Sequence, residues 1–170
     1  MTHDQEEALE LAHQIVLMHQ GRVEQIGTSE EIYNQPATPF VASFVGAANV
    51  LQGIVINGRV QFGEQLVAGA DHLPDGVSAH AYVRPHDIRI ASIRSNGHSS
   101  SAIVERMTNL GWTTKVNLSL SDGQALIAQL PNEHLTGIDQ GARVFVDLHN
   151  AKVFAPQGVE RHRSDELAAV

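Results

Sequence analysis

Hydrophobic periodicity changes near residue 47, and this change constrains the fold more than any other feature of the sequence. Up to that point, short helical and hairpin patterns follow one another. Beyond the small-residue joint Gly46-Ala47-Ala48-Asn49, apolar and polar residues alternate. Such alternation is typical of strands that bury one face. We therefore predict an α/β segment over residues 1–47, a mainly β domain over 48–156, and a solvated tail over 157–170, where few residues are apolar.

The β domain is predicted to be a small closed or semi-closed barrel. Alternation is clear over residues 113–120, 124–130 and 142–148, and Ser121-Asp122-Gly123 between the first two is typical of a hairpin turn. A barrel buries one face of such strands and removes exposed sheet edges. Its two halves are predicted to be a rough internal repeat. The lone tryptophan, Trp112, is predicted to anchor one barrel end, with stacking on a ligand as the alternative.

In the α/β segment, the pattern predicts a helix over residues 4–13, a hairpin of 15–18 with 23–26, and two further helices. Gly21 supplies the hairpin turn, because glycine readily adopts positive φ. Thr28-Ser29-Glu30-Glu31 is typical of a capping box, and Thr38-Pro39 of a second helix start. These last two helices carry more apolar surface than they can bury on each other. In a complete ATPase they would dock against the nucleotide-binding core or the domain that follows. In this chain, residues 1–47 are predicted to be disordered, swapped with a second copy, or self-associated.

Composition excludes several classes of function. The chain has 11 Lys and Arg against 19 Asp and Glu, a net charge of -8, which argues against binding nucleic acid phosphates. Cysteine is absent, which excludes disulfides and thiolate metal sites. The ten histidines lack metal-ligand spacing, so no metal site is predicted. No apolar run approaches the ~18 residues that a membrane span requires.

His3 is the first candidate functional residue. It lies just before Asp4 and Glu7, a pair typical of a helix capping box, so rigid backbone would hold its imidazole at a strand-to-helix corner. A group in that position can donate a hydrogen bond to an anion beside the positive helix N-terminus. The alternative is a capping-turn histidine with no ligand.

Arg84, His86 and Asp87 are the second candidate site, flanking Pro85 between two predicted strands. Arg84 would supply a fixed positive charge and the turn would offer free amides, which together suit a small anion. The alternative is a proline turn that merely joins strands. In that case Asp87 would accept from neighbouring amides, and Arg84 would pair with a nearby acid.

The start of the chain resembles a segment of the ATP-binding-cassette (ABC) transporter ATPases. Thr2-His3-Asp4-Gln5-Glu6-Glu7-Ala8-Leu9 is similar to their switch-histidine segment, and the similarity continues through residues 15–28 to Glu30-Glu31-Ile32-Tyr33. This resemblance implies that residues 1–47 are the C-terminal tail of a nucleotide-binding domain. It also implies that His3 contacts the γ-phosphate of ATP in a longer parent subunit.

Other motifs of that family are missing from the sequence. It has no G-x-x-x-x-G-K-[ST] phosphate loop, no L-S-G-G-Q and no apolar strand ending in Asp-Glu. We therefore expect ATP and magnesium to bind only in the full-length parent, no cofactor to bind this chain, and the chain alone to be inactive. The resemblance implies a homodimer of the ATPase subunit, transmembrane permease partners, and a cytoplasmic location on the inner face of the membrane.

Residues 48–156 resemble the transport-associated oligonucleotide/oligosaccharide-binding-like (TOBE) domain of importer ATPases, which implies an OB-like β-barrel. The most specific segment is Tyr82-Val83-Arg84-Pro85-His86-Asp87-Ile88, whose R-P-H-D-I form is most similar to sulfate/thiosulfate importers. The expected function is a C-terminal fragment of such an importer's ATP-binding subunit, with a barrel for regulation or assembly. The alternatives are a stand-alone module that binds an oxyanion or a partner, or a fragment from a sugar, polyamine or iron importer.

Overall fold

The computed structural model describes residues 9–94 and 99–156. His3 and the tail over 157–170 lie outside the described residues. Of the helix predicted over residues 4–13, only 9–11 are described as helical. No helix in the described part of the chain is both long and apolar enough to span a bilayer. The fold is mainly β, as predicted, and the α-helices of the described residues all lie in the N-terminal segment.

A hairpin and two short helices form this N-terminal segment. The hairpin turn is Gln20-Gly21, in which both residues adopt positive φ (49° and 76°). Gly21 lies in the turn as predicted, but the strands extend further than predicted, because His19 pairs with Arg22. Thr28 and Glu31 form a reciprocal capping box at the first helix, and the Thr38 side chain accepts from the Val41 N–H at the second. The elements are β1 (Ile15–His19), β2 (Arg22–Gly27), α1 (Ser29–Asn34) and α2 (Pro39–Phe44).

In the described part of the chain, ten short strands follow from Asn49 onward. Short 3-10 turns at Pro85–Asp87 and Asn132–Leu135 connect some of them. The strands are β3 (Asn49–Ile56), β4 (Arg59–Phe62), β5 (Gln65–Ala68), β6 (Ser78–Val83), β7 (Ile88–Ala91), β8 (Ser100–Asn109), β9 (Thr113–Leu120), β10 (Ala125–Pro131), β11 (Arg143–Leu148) and β12 (Lys152–Phe154).

The strands form two five-stranded antiparallel sheets that exchange their last strands. One sheet has the order β12-β6-β3-β4-β5 and the other β10-β9-β8-β11-β7. Thus β7, which follows β6 in the chain, pairs with β11, and β12, which follows β11, pairs with β6. The predicted repeat therefore exists in the topology, with each half completing the sheet of the other.

Two separate hydrophobic cores are present among the described residues. The larger lies between the two sheets and includes Phe62, Leu51, Ile88, Leu118 and Leu126. The smaller lies within the N-terminal segment, where Leu17, Ile32, Val41 and Val45 are buried together. Because these clusters are distinct, the boundary between the segment and the barrel depends on polar and aromatic contacts rather than on one continuous core.

The prediction that Trp112 anchors a barrel end is wrong. Its side chain is 87% exposed, in the connection between β8 and β9, and its neighbour Leu110 is 53% exposed. Alternation along the strands does not predict which way the Trp112 side chain points, because Gly111, with φ of 101°, turns the chain just before it. Phe62 and a set of aliphatic side chains fill the barrel interior instead.

Candidate functional site

A cleft of about 330 Å³ lies where the N-terminal segment meets the barrel. One wall comes from the segment, including Tyr33, Asn34 and Ala42. The other comes from the end of β6 and the turn after it, and from the start of β12 with the residues before it. The three residues predicted as a site, Arg84, His86 and Asp87, all line this cleft. Their proximity reflects the turn at Pro85, which places them on one short stretch of chain.

Arg84 connects the barrel to the segment. Its side chain is buried, and Nη1 donates to the backbone oxygens of Gly46 at 2.9 Å and Ala47 at 3.2 Å. Burial lowers the pKa of the Arg84 guanidinium, while the charges of Tyr33 and Asp87 act in the opposite direction. The proline-turn interpretation expected an acidic partner for Arg84, and this is wrong, because its hydrogen bonds go to carbonyl groups.

Tyr33, at the end of α1, completes this contact from the other side. The Arg84 guanidinium carbon lies 4.5 Å from the centre of the Tyr33 ring, within the range of a cation–π interaction. The His86 ring lies nearly parallel to the Tyr33 ring, with 6.1 Å between centroids. One aromatic side chain of the segment therefore faces both basic residues of the turn.

Asp87 is held by the opposite half of the barrel. Its Oδ1 accepts from Asn150 Nδ2 at 2.8 Å, and its backbone oxygen accepts from the His149 N–H at 3.0 Å. The His86 Nε2 lies 3.9 Å from Asp87 Oδ2, and His86 is the more exposed of the two side chains. The main hydrogen-bond partner of the Asp87 carboxylate is thus Asn150. Asn150 has a positive φ of 51°.

Lys152 is the cleft residue that sequence reasoning missed. It lies on β12, directly opposite Tyr82 of β6, and both line the cleft. Sixty-eight positions separate Lys152 from Arg84 in the sequence, and only the strand exchange brings β12 beside β6. No sequence pattern marks that exchange. The cleft therefore carries two cationic side chains, Arg84 and Lys152, where the sequence suggested one.

Tyr82 links the same strand to the second helix of the segment. Burial raises the pKa of the Tyr82 hydroxyl above its ordinary value of 10.0, and a side-chain hydrogen bond with Ser43 opposes this shift. Its ring also meets the Phe154 ring edge-on, with centroids 5.5 Å apart. Tyr82 thus contacts both α2 and β12.

Metal binding has no support in this region. Within residues 9–94 and 99–156, no group of three or more His, Cys, Asp or Glu side chains is arranged to hold a metal ion. The described residues therefore do not fit a magnesium site. A cleft with two cations and one engaged carboxylate suits an anion better than a cation.

Sequence comparison relates the chain to importer ATPases. The sulfate/thiosulfate import ATP-binding protein CysA 1 of Chromobacterium violaceum is 41% identical, over 94% of this chain and 46% of that protein. The CysA of Thermosynechococcus vestitus is 42% identical, over 91% of this chain and 42% of its own length. The CysA of Bordetella parapertussis is 40% identical, over 92% and 46%. This chain thus spans under half the length of the curated relatives it matches.

A solved structure shares the barrel fold. The cytoplasmic molybdate-binding protein ModG, crystallised with molybdate bound, superposes with a TM-score of 0.54 over 66% of this chain and 99% of that chain. The sequence identity is 17%, so the likeness concerns the fold alone. It confirms the predicted OB-like barrel.

A known domain family matches the second half of the barrel and part of the first half. Residues 81–155, which run from the end of β6 to just past β12, match the TOBE domain. The matched range includes Arg84, His86, Asp87 and Lys152, so the barrel side of the cleft lies within it. Residues 81–155 therefore match the TOBE domain, and over more than nine-tenths of its length the chain is similar to the sulfate/thiosulfate import ATP-binding proteins.

Proposed function

We propose that this chain forms the C-terminal part of the ATP-binding subunit of an ABC importer for sulfate or thiosulfate. The observation that carries the proposal is the identity of 41–42% with sulfate/thiosulfate import ATP-binding proteins over more than nine-tenths of the chain. The TOBE match over residues 81–155 supports the same assignment. The R-P-H-D-I segment that suggested this importer class lies within the matched range.

In that subunit, His3 contributes the contact with the γ-phosphate. An imidazole N–H at a strand-to-helix corner can donate a hydrogen bond to a phosphate oxygen, and the helix N-terminus adds partial positive charge. Charge is spread over the γ-phosphate oxygens during phosphoryl transfer, so a positioned donor stabilises it. His3 thereby positions the transferring group, while residues outside this chain bind the rest of the nucleotide.

ATP and magnesium bind in the full-length subunit, at residues that this sequence does not contain. When bound, magnesium would neutralise part of the negative charge of the phosphates. The described residues offer no carboxylate cluster for that ion. The part played by this chain is therefore the hydrogen bond from His3 and the mechanical connection to the barrel.

The barrel serves regulation or assembly of the transporter. The proposed partners are a second copy of the ATPase subunit, forming a homodimer, and the transmembrane permease subunits. Such a subunit lies in the cytoplasm, attached to the inner face of the membrane through the permease. Contact between the barrel and the N-terminal segment, through Arg84 and Tyr33, gives the barrel a physical route to the nucleotide-binding part.

A chimera tests the proposal. This chain replaces the segment that it matches in CysA 1 of Chromobacterium violaceum, and ATP hydrolysis and sulfate-dependent growth are measured with the matching permease. We expect the chimera to hydrolyse ATP and support growth, and the chain alone to show no turnover. His3→Ala in the chimera should reduce hydrolysis by ~10²–10³-fold, as for other single groups that stabilise transition-state charge.

His13→Ala is the matched control, because His13 is an exposed histidine close by in the sequence. It should leave hydrolysis unchanged. A folded chimera that binds ATP but hydrolyses it equally well with His3→Ala would refute the role of His3. Turnover by the isolated chain would refute its assignment as a part that depends on missing residues.

A further inference from the structure

We propose that the outer face of the sheet β10-β9-β8-β11-β7 is a docking surface for an acidic segment of a partner protein, with the Trp112 ring as its apolar anchor. Arg106, Lys115 and Arg143 supply positive charge on this face, and the turn that carries Leu110 and Trp112 lies at one end of it. The outward side chains of these strands, together with that turn, are called the basic face below. They lie outside the cleft and have no part in the proposed contact with ATP.

Strand alternation puts three basic side chains on this side of the sheet. Lys115 occupies an exposed position of β9 between two buried ones, and Arg106 of β8 is exposed opposite Asn117, two residues further along β9. Arg143 of β11 is exposed opposite Ile103 of β8. Residues that pair across an antiparallel ladder, or lie two apart on one strand, share a face. The three cations therefore lie on adjacent strands of one surface.

The charges of these three side chains are not used within the molecule. Among the residues that the structure describes, they form no hydrogen bond and no ion pair. Arg94, just after β7, differs because it pairs with Glu64 at 2.7 Å. The five strands carry four basic residues against two acidic ones, Glu105 and Asp147, and Asp147 lies opposite Arg89. The basic face is thus locally positive on a chain of net charge -8, and such a patch attracts an acidic partner.

The turn between β8 and β9 presents Trp112 on a fixed backbone. The Gly111 N–H donates to Asn109 Oδ1 at 2.7 Å. Asn132, just after β10, donates from Nδ2 to the Gly111 oxygen at 2.6 Å and from its backbone N–H to the Trp112 oxygen at 3.2 Å. The side chains of Trp112 and Leu110 are nevertheless mostly exposed. Tryptophan is enriched among residues that dominate binding energies, and a backbone that is already ordered lowers the entropy cost of binding.

The chemistry of the basic face favours an acidic protein segment over a nucleic acid. Ile103 and Ile127 are each 37% exposed on it, so apolar side chains of a partner have contacts between the cations. A single-stranded nucleic acid needs several aromatic rings for its bases to stack on, and a long run of cations for its phosphates. A segment that mixes carboxylates with apolar side chains matches this surface more closely.

The dimensions of the face set the expected strength of binding. Five strands ~4.8 Å apart and about six residues long give a surface of roughly 24 by 20 Å. Stable complexes bury about 800 Å² on each partner, so this area suits a weak, transient contact. Because the cations are exposed, binding should weaken as salt shortens the Debye length from ~10 Å at 0.1 M to ~3 Å at 1 M.

Fluorescence of Trp112 provides the test, since it is the single tryptophan of the chain. The intact chain is titrated with a synthetic peptide that mixes glutamate and leucine and contains no aromatic residue. We expect a saturable blue shift of the emission as the ring leaves water, and a loss of affinity at high salt. The same peptide with glutamine in place of glutamate should not bind, and oligothymidylate should bind more weakly than the acidic peptide.

Substitutions locate the binding on this face. Arg106→Gln combined with Lys115→Gln should reduce the affinity for the acidic peptide about tenfold, as measured by titration calorimetry. Arg59→Gln, at an exposed position on β4 of the other sheet, is the matched control and should leave the affinity unchanged. Trp112→Ser should also weaken binding about tenfold while leaving stability unchanged, which separates a contact with the partner from a role in folding.

Several results would overturn the proposal. They are the absence of saturable binding, equal binding of the glutamine peptide, and unchanged affinity in the Arg106→Gln and Lys115→Gln double variant. Tighter binding of oligothymidylate would make the face a nucleic-acid surface instead. Self-association of the chain that the same substitutions abolish would identify a second copy as the occupant. Nucleotide is absent from every titration, so such a failure leaves the proposed ATPase relationship intact.

Discussion

The side-chain amide of Asn49 forms a two-way hydrogen-bonded pair with the backbone of Ile127. Its Oδ1 accepts from the Ile127 N–H at 2.7 Å, and its Nδ2 donates to the Ile127 oxygen at 2.9 Å. The amide of Gln124 makes the same reciprocal pair with the backbone of Gln52, at 2.7 and 3.0 Å. These bonds connect β3 of one sheet to β10, and to Gln124 just before it, in the other sheet. Among the described residues, no strand pairing joins the two sheets.

Asn49→Ala should therefore destabilise the barrel markedly. Asn49 is buried, and its Nδ2 also donates to the Val83 oxygen at 3.2 Å. Its removal leaves the Ile127 groups without this partner, at a cost of ~2–4 kcal/mol in the free energy of unfolding. Urea denaturation would measure the loss. Gln129→Ala, at an exposed position on β10, should change stability by no more than ~0.5 kcal/mol. Equal stability of the two variants would contradict this role for Asn49.

Gly53→Ala should be destabilising because β3 has no space for a methyl group at this position. A Cβ there would lie 2.7 Å from Val60 Cγ1 and 2.8 Å from Phe62 Cε1, and would also clash with the Gln61 backbone oxygen. Overpacking against backbone costs ~1–3 kcal/mol, which thermal unfolding would reveal. Gly76→Ala is the control. A Cβ at Gly76 would meet no neighbouring atom, but φ there is 82°, so this variant measures backbone strain without a steric clash. A melting temperature for Gly53→Ala at or above that of the wild type would contradict this steric clash, because it would show that β3 and β4 can move apart to admit the methyl group.

Arg84→Lys should loosen the docking of the N-terminal segment while keeping the charge. Lysine cannot reproduce the planar guanidinium that lies over Tyr33 and also bonds to two carbonyl oxygens. We expect a loss of ~1–2 kcal/mol of docking free energy. Hydrogen exchange of the amides over residues 29–46 should then accelerate by about tenfold. Arg143→Lys, at an exposed position on β11, should leave this exchange unchanged. Unaltered protection in Arg84→Lys would contradict the connecting role.

Tyr82 should make stability sensitive to alkaline pH. Burial raises its pKa in the folded state above the ordinary value of 10.0. The unfolded state therefore loses the phenolic proton at lower pH than the folded state does. This contribution is fully present below pH 10 and is lost as the pH rises through the folded-state pKa. Denaturation as a function of pH should show a smaller alkaline decline for Tyr82→Phe than for the wild type. Parallel declines would refute the prediction.

Trp112→Ser should have almost no effect on folding. The side chain is 87% exposed, so its removal exposes little new apolar surface and leaves no cavity. The free energy of unfolding should change by no more than ~0.5 kcal/mol. Quenching of tryptophan fluorescence by iodide in the folded wild type gives an independent measure, since Trp112 is the single tryptophan. Protection from iodide, or a large loss of stability, would indicate a buried ring.

Short sequence patterns predicted the strands, turns and helix caps whose interactions involve residues close together in the sequence. Alternation over residues 113–120 and 124–130 correctly predicted which side chains of β9 and β10 are buried, because side chains of a strand point alternately to opposite faces. The capping box at Thr28 and the turn at Gly21 are also present, since each depends on residues only a few positions apart. The prediction for Trp112 was wrong because the turn at Gly111 interrupts the alternation there.

The sequence alone determined the fold class, the R-P-H-D-I turn and the relationship to importer ATPases, because these depend on short patterns and direct similarity. Tertiary structure alone decided which distant residues meet. Lys152 lines the same cleft as Arg84 only because β12 pairs with β6, and Asn49 reaches Ile127 only because the two sheets close on each other. The physical reason is that strand exchange depends on the combined packing of both halves, and no single stretch of sequence carries that information.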